Sequence, residues 1–224
     1  MSLGGKERIR NYLQQRKVDA KAHKDLWYLA ESVHQRKSNI YRGNLVAGHI
    51  QLRPGVRRLI EDAISNDITL AIATSSSQKN VETLLLNALG ENALTLFSAI
   101  VTSDIVEDKK PSPAAYQLVL AELGLKPENC VAIEDTYNGN KAAVDAHLKT
   151  IITTHLYTLD DDFSGASLVI DQLGEPLCPF TLQSGNSFGK KYVDVELLQS
   201  ICADKSSSQA KASRTTDQIA IVAT

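Results

Sequence analysis

Cysteine is scarce and scattered. Cys130, Cys178 and Cys202 form no Cys-x-x-Cys pair, and an odd number argues against a secreted disulfide framework. No apolar run approaches the roughly 18 residues that a membrane span requires. Neither sign of charge is in excess: 24 Lys and Arg against 26 Asp and Glu give a formal net charge of -2. Bulk charge therefore gives no reason to expect nucleic acid or an acidic membrane as a partner. The first ten residues hold Lys6, Arg8 and Arg10, with no apolar stretch after them, so a secretory leader is not expected. No internal repeat is visible. These absences lead to the expectation of a soluble monomer in the cytoplasm, with the plastid left open as a compartment.

At 224 residues and 43% hydrophobic content, the chain can bury a substantial core in one or two domains. Residues 6–42 read as helical. Ile9, Tyr12 and Leu13 share one face, and further on Leu26, Leu29, Ala30 and Val33 share another. Gly43, Asn44, Gly48 and Pro54-Gly55 interrupt that pattern and read as a linker. From there apolar runs alternate with helical patterns. Strands are expected at 68–73, 99–102, 130–133 and 150–154, and helices at 56–65, 78–89, 112–124 and 139–146. Short continuous apolar runs separated by helices are what a parallel sheet covered on both faces requires. The fold class is therefore α/β, a Rossmann-like doubly wound sheet, with ligands at the carboxyl ends of the strands. The expected units are a small helical domain over 1–48, an α/β core over 49–204 and a disordered Ser-, Lys- and Thr-rich tail over 205–224.

Three polar clusters fall on that carboxyl side. Thr74-Ser75-Ser76-Ser77 follows a strand and precedes a helix, where hydroxyls and backbone N–H groups suit an oxyanion, although Ser and Thr are also ordinary N-caps. Lys109-Lys110-Pro111-Ser112-Pro113 fixes a lysine before a helix, able to meet a phosphoryl group or a carboxylate; a solvated loop charge is the plainer reading. Glu134-Asp135 ends a buried strand, where two carboxylates are costly unless paired or bound to a cation such as Mg2+, or unless they merely cap the next helix. Thr74, Lys110 and Glu134-Asp135 together would offer a hydroxyl donor, a cation and a metal site along one edge.

The series Ile72-Ala-Thr-Ser-Ser, Lys109-Lys-Pro-Ser-Pro-Ala-Ala-Tyr116 and Ala132-Ile-Glu-Asp-Thr-Tyr-Asn-Gly139 resembles motifs II, III and IV of the haloacid dehalogenase superfamily. Gly4-Gly-Lys-Glu-Arg-Ile9, Leu52-Arg-Pro-Gly-Val56 and Asp162-Phe-Ser-Gly-Ala166 are similar to stretches of its β-phosphoglucomutase-like branch, and within it of CbbY-type sugar-phosphate phosphatases. The resemblance implies a magnesium-dependent hydrolase acting on a phosphorylated sugar. A mutase of the β-phosphoglucomutase type is the alternative, and a non-catalytic remnant that still binds metal or phosphate is a further one. It also implies roles. Thr74 and Ser75 would hold the phosphoryl group, Lys110 would neutralise it, and Glu134 and Asp135 would hold Mg2+. Lys6 and Arg8, from a partial helical cap, would reach the far end of the sugar. Arg53 and Asn138 would stand at the margin.

One part of the resemblance is missing. Family members begin with a strand ending in Asp-x-Asp-Gly-Thr, whose first aspartate attacks phosphorus and whose second works as general acid and base. Here the first aspartate is Asp19, inside an expected helix, and the one Asp-x-Asp, at Asp160-Asp161-Asp162, reads as a solvated loop. The absent strand would lie between those ending at Thr74 and Glu134. Two inner edges of unpaired backbone are therefore expected, and the chain is expected to be a fragment of a longer enzyme.

Overall fold

The computed structural model describes residues 5–16, 23–204 and 220–223. Two helices, α1 (Gly5–Gln15) and α2 (His23–Val46), pack against each other, and α2 also meets α4 (Gln78–Leu89) of the core. Leu26, Ala30 and Leu45 of α2 are buried. The helix runs through Gly43 and Asn44, whose residue types read as linker. A glycine costs a helix only about 1 kcal/mol, and Gly43 has open space around it, so packing elsewhere carries it. Asp19 lies outside the described residues.

The core is a seven-stranded sheet among the described residues. The strands are β1 (Thr69–Ala73), β2 (Ala99–Val101), β3 (Cys130–Glu134), β4 (Lys149–Thr153), β5 (Leu168–Ile170), β6 (Leu182–Gly185) and β7 (Ala220–Ala223). Their order in space is β2-β1-β7-β3-β4-β5-β6, all parallel except the edge strand β6. On one face, α5 (Ala114–Leu123) and α6 (Tyr137–Asp145) cover a core of small residues including Ala71, Ala73, Ala132, Ala142 and Ala220. On the other, α3 (Val56–Ser65) and α7 (Val195–Ala203) cover a bulkier one with Leu59, Leu70, Val131, Leu197 and Ile221. Successive strand residues feed opposite faces, as the period of two demands. Gly55 opens α3 with φ 86°, and a Cβ there would meet Leu173 at 2.7 Å, so both conformation and space require glycine.

The two inner edges expected from the sequence are not left open. β7 fills the gap, with Ala220, Ile221, Val222 and Ala223 paired to Thr69, Leu70, Ala71 and Ile72 on one side. On the other side the same four residues pair with Cys130, Val131, Ala132 and Ile133. These four residues fall in the tail for which disorder is expected throughout, and they correct that expectation. Residues 205–219 lie outside the described residues. An unbroken apolar run of Ala, Ile and Val suits a central parallel strand buried on both faces. No helix of the described residues is long and apolar enough to cross a membrane.

Candidate active site

Three loops at the carboxyl edge meet over the end of β7. The first leaves β1 at Thr74. Its backbone N–H donates to Val101 O at 2.9 Å, its hydroxyl accepts from Ser76 N at 3.1 Å, and Ser76 O accepts from Ser103 N at 3.0 Å. That tight turn delivers Ser75, Ser76 and Ser77 to the start of α4. The Ser77 hydroxyl makes no capping bond to that helix. The second loop carries Lys110 and the third follows β3 with Glu134 and Asp135. There Thr136 caps α6, its hydroxyl accepting from Gly139 N at 3.1 Å. The amino ends of α4 and α6 already attract carboxylates of the chain, Gln78 N donating to Asp104 at 2.8 Å and Tyr137 N to Asp161 at 3.0 Å, as the partial positive charge of a helix N-terminus favours.

Lys110 and Glu134 are buried, 7% and 1% exposed, and form an ion pair. The ammonium also donates to Ala73 O at 2.7 Å and stands 4.7 Å from the centre of the Tyr116 ring. The Tyr116 hydroxyl donates to the same oxygen of Glu134 that receives Lys110. Burial, reinforced by the Glu134 charge, pushes the Tyr116 phenol well above its ordinary pKa, so it stays protonated and able to donate. Lys110 thus ties the end of β1 to the end of β3 across the end of β7. Asp135 is only half-buried, with its carboxylate 3.8 Å from Nε2 of His155. Glu134 and Asp135 are the two carboxylates at this spot. Mg2+ takes one or two carboxylates and completes its octahedron with waters and phosphate oxygens, so the donor chemistry fits that ion. Among the described residues no group of three ligating side chains stands together.

A polar cleft of about 870 Å³ brings most of the expected site residues together: Thr74, Ser75, Lys110, Glu134, Asp135 and Asn138 on the core side, Lys6 and Arg8 on the helical side. Arg53 is not among them. Its guanidinium donates to the carbonyls of Thr153, Thr154 and Asp171 and to the Thr153 hydroxyl, clamping the ends of β4 and β5. It lines a neighbouring apolar cavity of about 400 Å³ that shares Thr74, Ser76, Asn80, Glu134 and Asp135 with the cleft. Tyr116, Gly139, His155 and His34 are site residues that the sequence reading does not single out. Tyr116 and Gly139 stand within the quoted motifs, whereas nothing local to His155 or His34 marks them. His34 belongs to the cleft's helical wall beside Lys37, Arg42 and Glu31. Burial, with Lys37 and Lys6 adding, lowers its pKa. The thiols of buried Cys130 and partly buried Cys202 are pushed up by desolvation to about 12 and about 11, so neither is suited to act as a nucleophile at neutral pH.

A sequence model of haloacid dehalogenase-like hydrolases matches residues 2–147. The chain belongs to that family. It is 38% identical over 174 residues to protein CbbY of Cereibacter sphaeroides, covering 78% of this chain and 74% of that protein. The CBBY-like protein of Arabidopsis thaliana is 34% identical over 176 residues, 77% of this chain and 55% of that one. A crystal structure of a mutant CbbY from Rhodobacter sphaeroides in complex with xylulose-(1,5)bisphosphate superposes with a TM-score of 0.64 at 37% identity. It covers 76% of this chain and 74% of its own. A second CbbY structure, in complex with phosphate, gives 0.63 at 38% identity over 75% and 73%. Within the hydrolases, this haloacid dehalogenase-like chain stands in the CbbY-type branch, an enzyme lineage of phosphatases.

Proposed function

We propose that the cleft binds a phosphorylated sugar together with Mg2+. The phosphoryl group sits against Thr74, the Ser75 amide and Lys110, and the cation between Asp135 and Glu134. The observation that carries this is the convergence of the β1 hydroxyl turn, the buried Lys110–Glu134 pair and the half-exposed Asp135 on one cleft. When bound, Mg2+ supplies charge neutralisation for the phosphate oxygens. Glu134 has one oxygen committed to Lys110 and Tyr116, so Asp135 is the primary ligand and Glu134 contributes its other oxygen, directly or through water. The opposite wall carries Lys6, Arg8, Lys37 and Arg42, with Lys109 at the rim, against Glu7 and Glu31. That basic excess suits a second anionic group, so a sugar bisphosphate is the preferred ligand, in line with the CbbY complex. Nothing in the geometry favours a mutase.

Hydrolysis by this family's route needs a carboxylate on the central strand to attack phosphorus. The strand in that position here is β7, whose residues are Ala220, Ile221, Val222 and Ala223. We therefore read the 224 residues as a binding-competent site without its nucleophile, which residues beyond these 224 or another chain would have to supply. Assaying the chain with a chromogenic phosphate ester and with a sugar bisphosphate, with and without Mg2+, tests this. Binding without turnover is expected. Turnover abolished by Asp135→Asn would show that the central carboxylate is dispensable, and absence of phosphate binding would refute the site itself.

A further inference from the structure

We infer that the seam between β1 and β3 is a strand-receiving site, that segment 220–223 is its occupant, and that seating this segment is coupled to anion binding in the cleft above. The coupling rests on the phosphate-binding reading just given.

β7 is the last strand in the chain yet the middle strand of the sheet, parallel to both neighbours, and it is reached from α7 through residues 205–219. Fifteen residues extended reach up to about 50 Å, ample for a segment that enters the sheet after its neighbours are in place. Ala220 closes the small-residue core on one face and Ile221 the bulky core on the other, both fully or nearly fully buried. Removing β7 opens both cores and exposes a backbone edge on β1 and another on β3.

The consequence reaches the cleft because of register. Ala223 pairs with Ile72 and Ile133, one position short of Ala73 and Glu134. Ala73 and Glu134 are the two residues that Lys110 bridges, and Thr74 follows directly. With β7 seated, β1 and β3 stand two strand spacings apart, about 9.6 Å; direct pairing of the two would bring them to about 4.8 Å. Thr74 and Asp135 ride on the ends of those strands. The seated strand sets the width of the anion site, so an anion that fits this width holds the strand in.

Hydrogen exchange on the full chain, with and without inorganic phosphate, tests this, phosphate binding being measured independently by calorimetry. Peptides covering 220–223 should be protected as β1 and β3 are. Linkage predicts exchange roughly 100-fold slower at phosphate 100-fold above its Kd. Failure of calorimetry to detect phosphate would count against the proposed function rather than the seam. Phosphate that binds while the protection of 220–223 stays unchanged overturns the coupling, and unprotected amides there overturn the occupant. A chemical check uses Ala220→Cys, because Cys130 is the register partner of Ala220 on the same face. In a Cys178→Ser, Cys202→Ser background, the introduced thiol should react with an alkylating reagent as slowly as buried Cys130 does. A free, readily alkylated thiol at position 220, or a disulfide-linked dimer, would contradict docking in the chain's own sheet.

Discussion

Glu134 lies so close over Gly139 that position 139 has no room for a Cβ, which would run into both oxygens of the carboxylate. Glycine in the first turn of α6 is therefore a condition for Glu134 to sit beside Lys110, against the amino end of that helix. Gly139→Ala must push the carboxylate aside or shift the helix. Thermal unfolding should report a loss of about 1–3 kcal/mol, the usual cost of overpacking. Phosphate affinity in the presence of Mg2+ should fall with it. An alanine variant with unchanged affinity would show that the carboxylate's position is not critical.

Lys110→Met should be more damaging than its conservative size suggests. It leaves Glu134, 1% exposed, without its cation. Breaking one partner of a buried pair costs about 3–5 kcal/mol, whereas removing both charges is far milder. Urea unfolding of Lys110→Met, Glu134→Gln and the double variant checks this; the double variant should recover part of the Lys110→Met loss. Simple additivity would mean that the two side chains are not coupled.

Thr74→Val keeps the shape and removes the hydroxyl. One hydrogen bond to a charged group is worth about 1.5–3 kcal/mol, so phosphate affinity should drop roughly tenfold or more, and loss of the bond from Ser76 N should cost about 0.5–1.5 kcal/mol of stability. Ser77→Ala, which removes a hydroxyl making no cap bond to α4, should change stability less than an ordinary cap deletion.

His34 gives the helical wall a pH dependence of known sign. Its pKa is lowered in the fold by burial, then by Lys37, Lys6 and Lys109, with Glu7 opposing. The folded state therefore binds this proton less readily than the unfolded chain does. Stability is retained above the ordinary histidine pKa and falls as pH drops through and below it. Unfolding titrations of the wild type and His34→Gln between neutral and mildly acidic pH should converge at neutrality and diverge on acidification, the variant losing less. A second phosphate near His34 should raise its pKa, so binding a sugar bisphosphate in that range should take up protons.

Much of the fold is readable from residue pattern. Helices Val56–Ser65 and Gln78–Leu89 fall where the periodicity puts them, because their apolar stripes and flanking turn residues agree. The cluster of Thr74, Lys110, Glu134 and Asp135 is readable because each residue sits directly beyond an apolar run or before a helix. Three things are not. Gly43 reads as a breaker, although helix α2 crosses it at small cost. Arg53 reads as standing at the margin of the ligand site, and its own neighbours in sequence give no sign of the carbonyls that take its guanidinium, which lie about 100 residues or more away, at the ends of β4 and β5. β7 escapes the sequence reading because a short apolar run behind a Ser- and Lys-rich stretch carries no local sign that a sheet elsewhere in the chain has room for it.

The most direct measurement is a calorimetric titration of the chain with inorganic phosphate, with and without Mg2+, alongside Asp135→Asn. The account predicts one site, tighter with Mg2+ in the wild type and indifferent to Mg2+ in the variant. Binding that ignores Mg2+ in both proteins, or no binding in either, would contradict it.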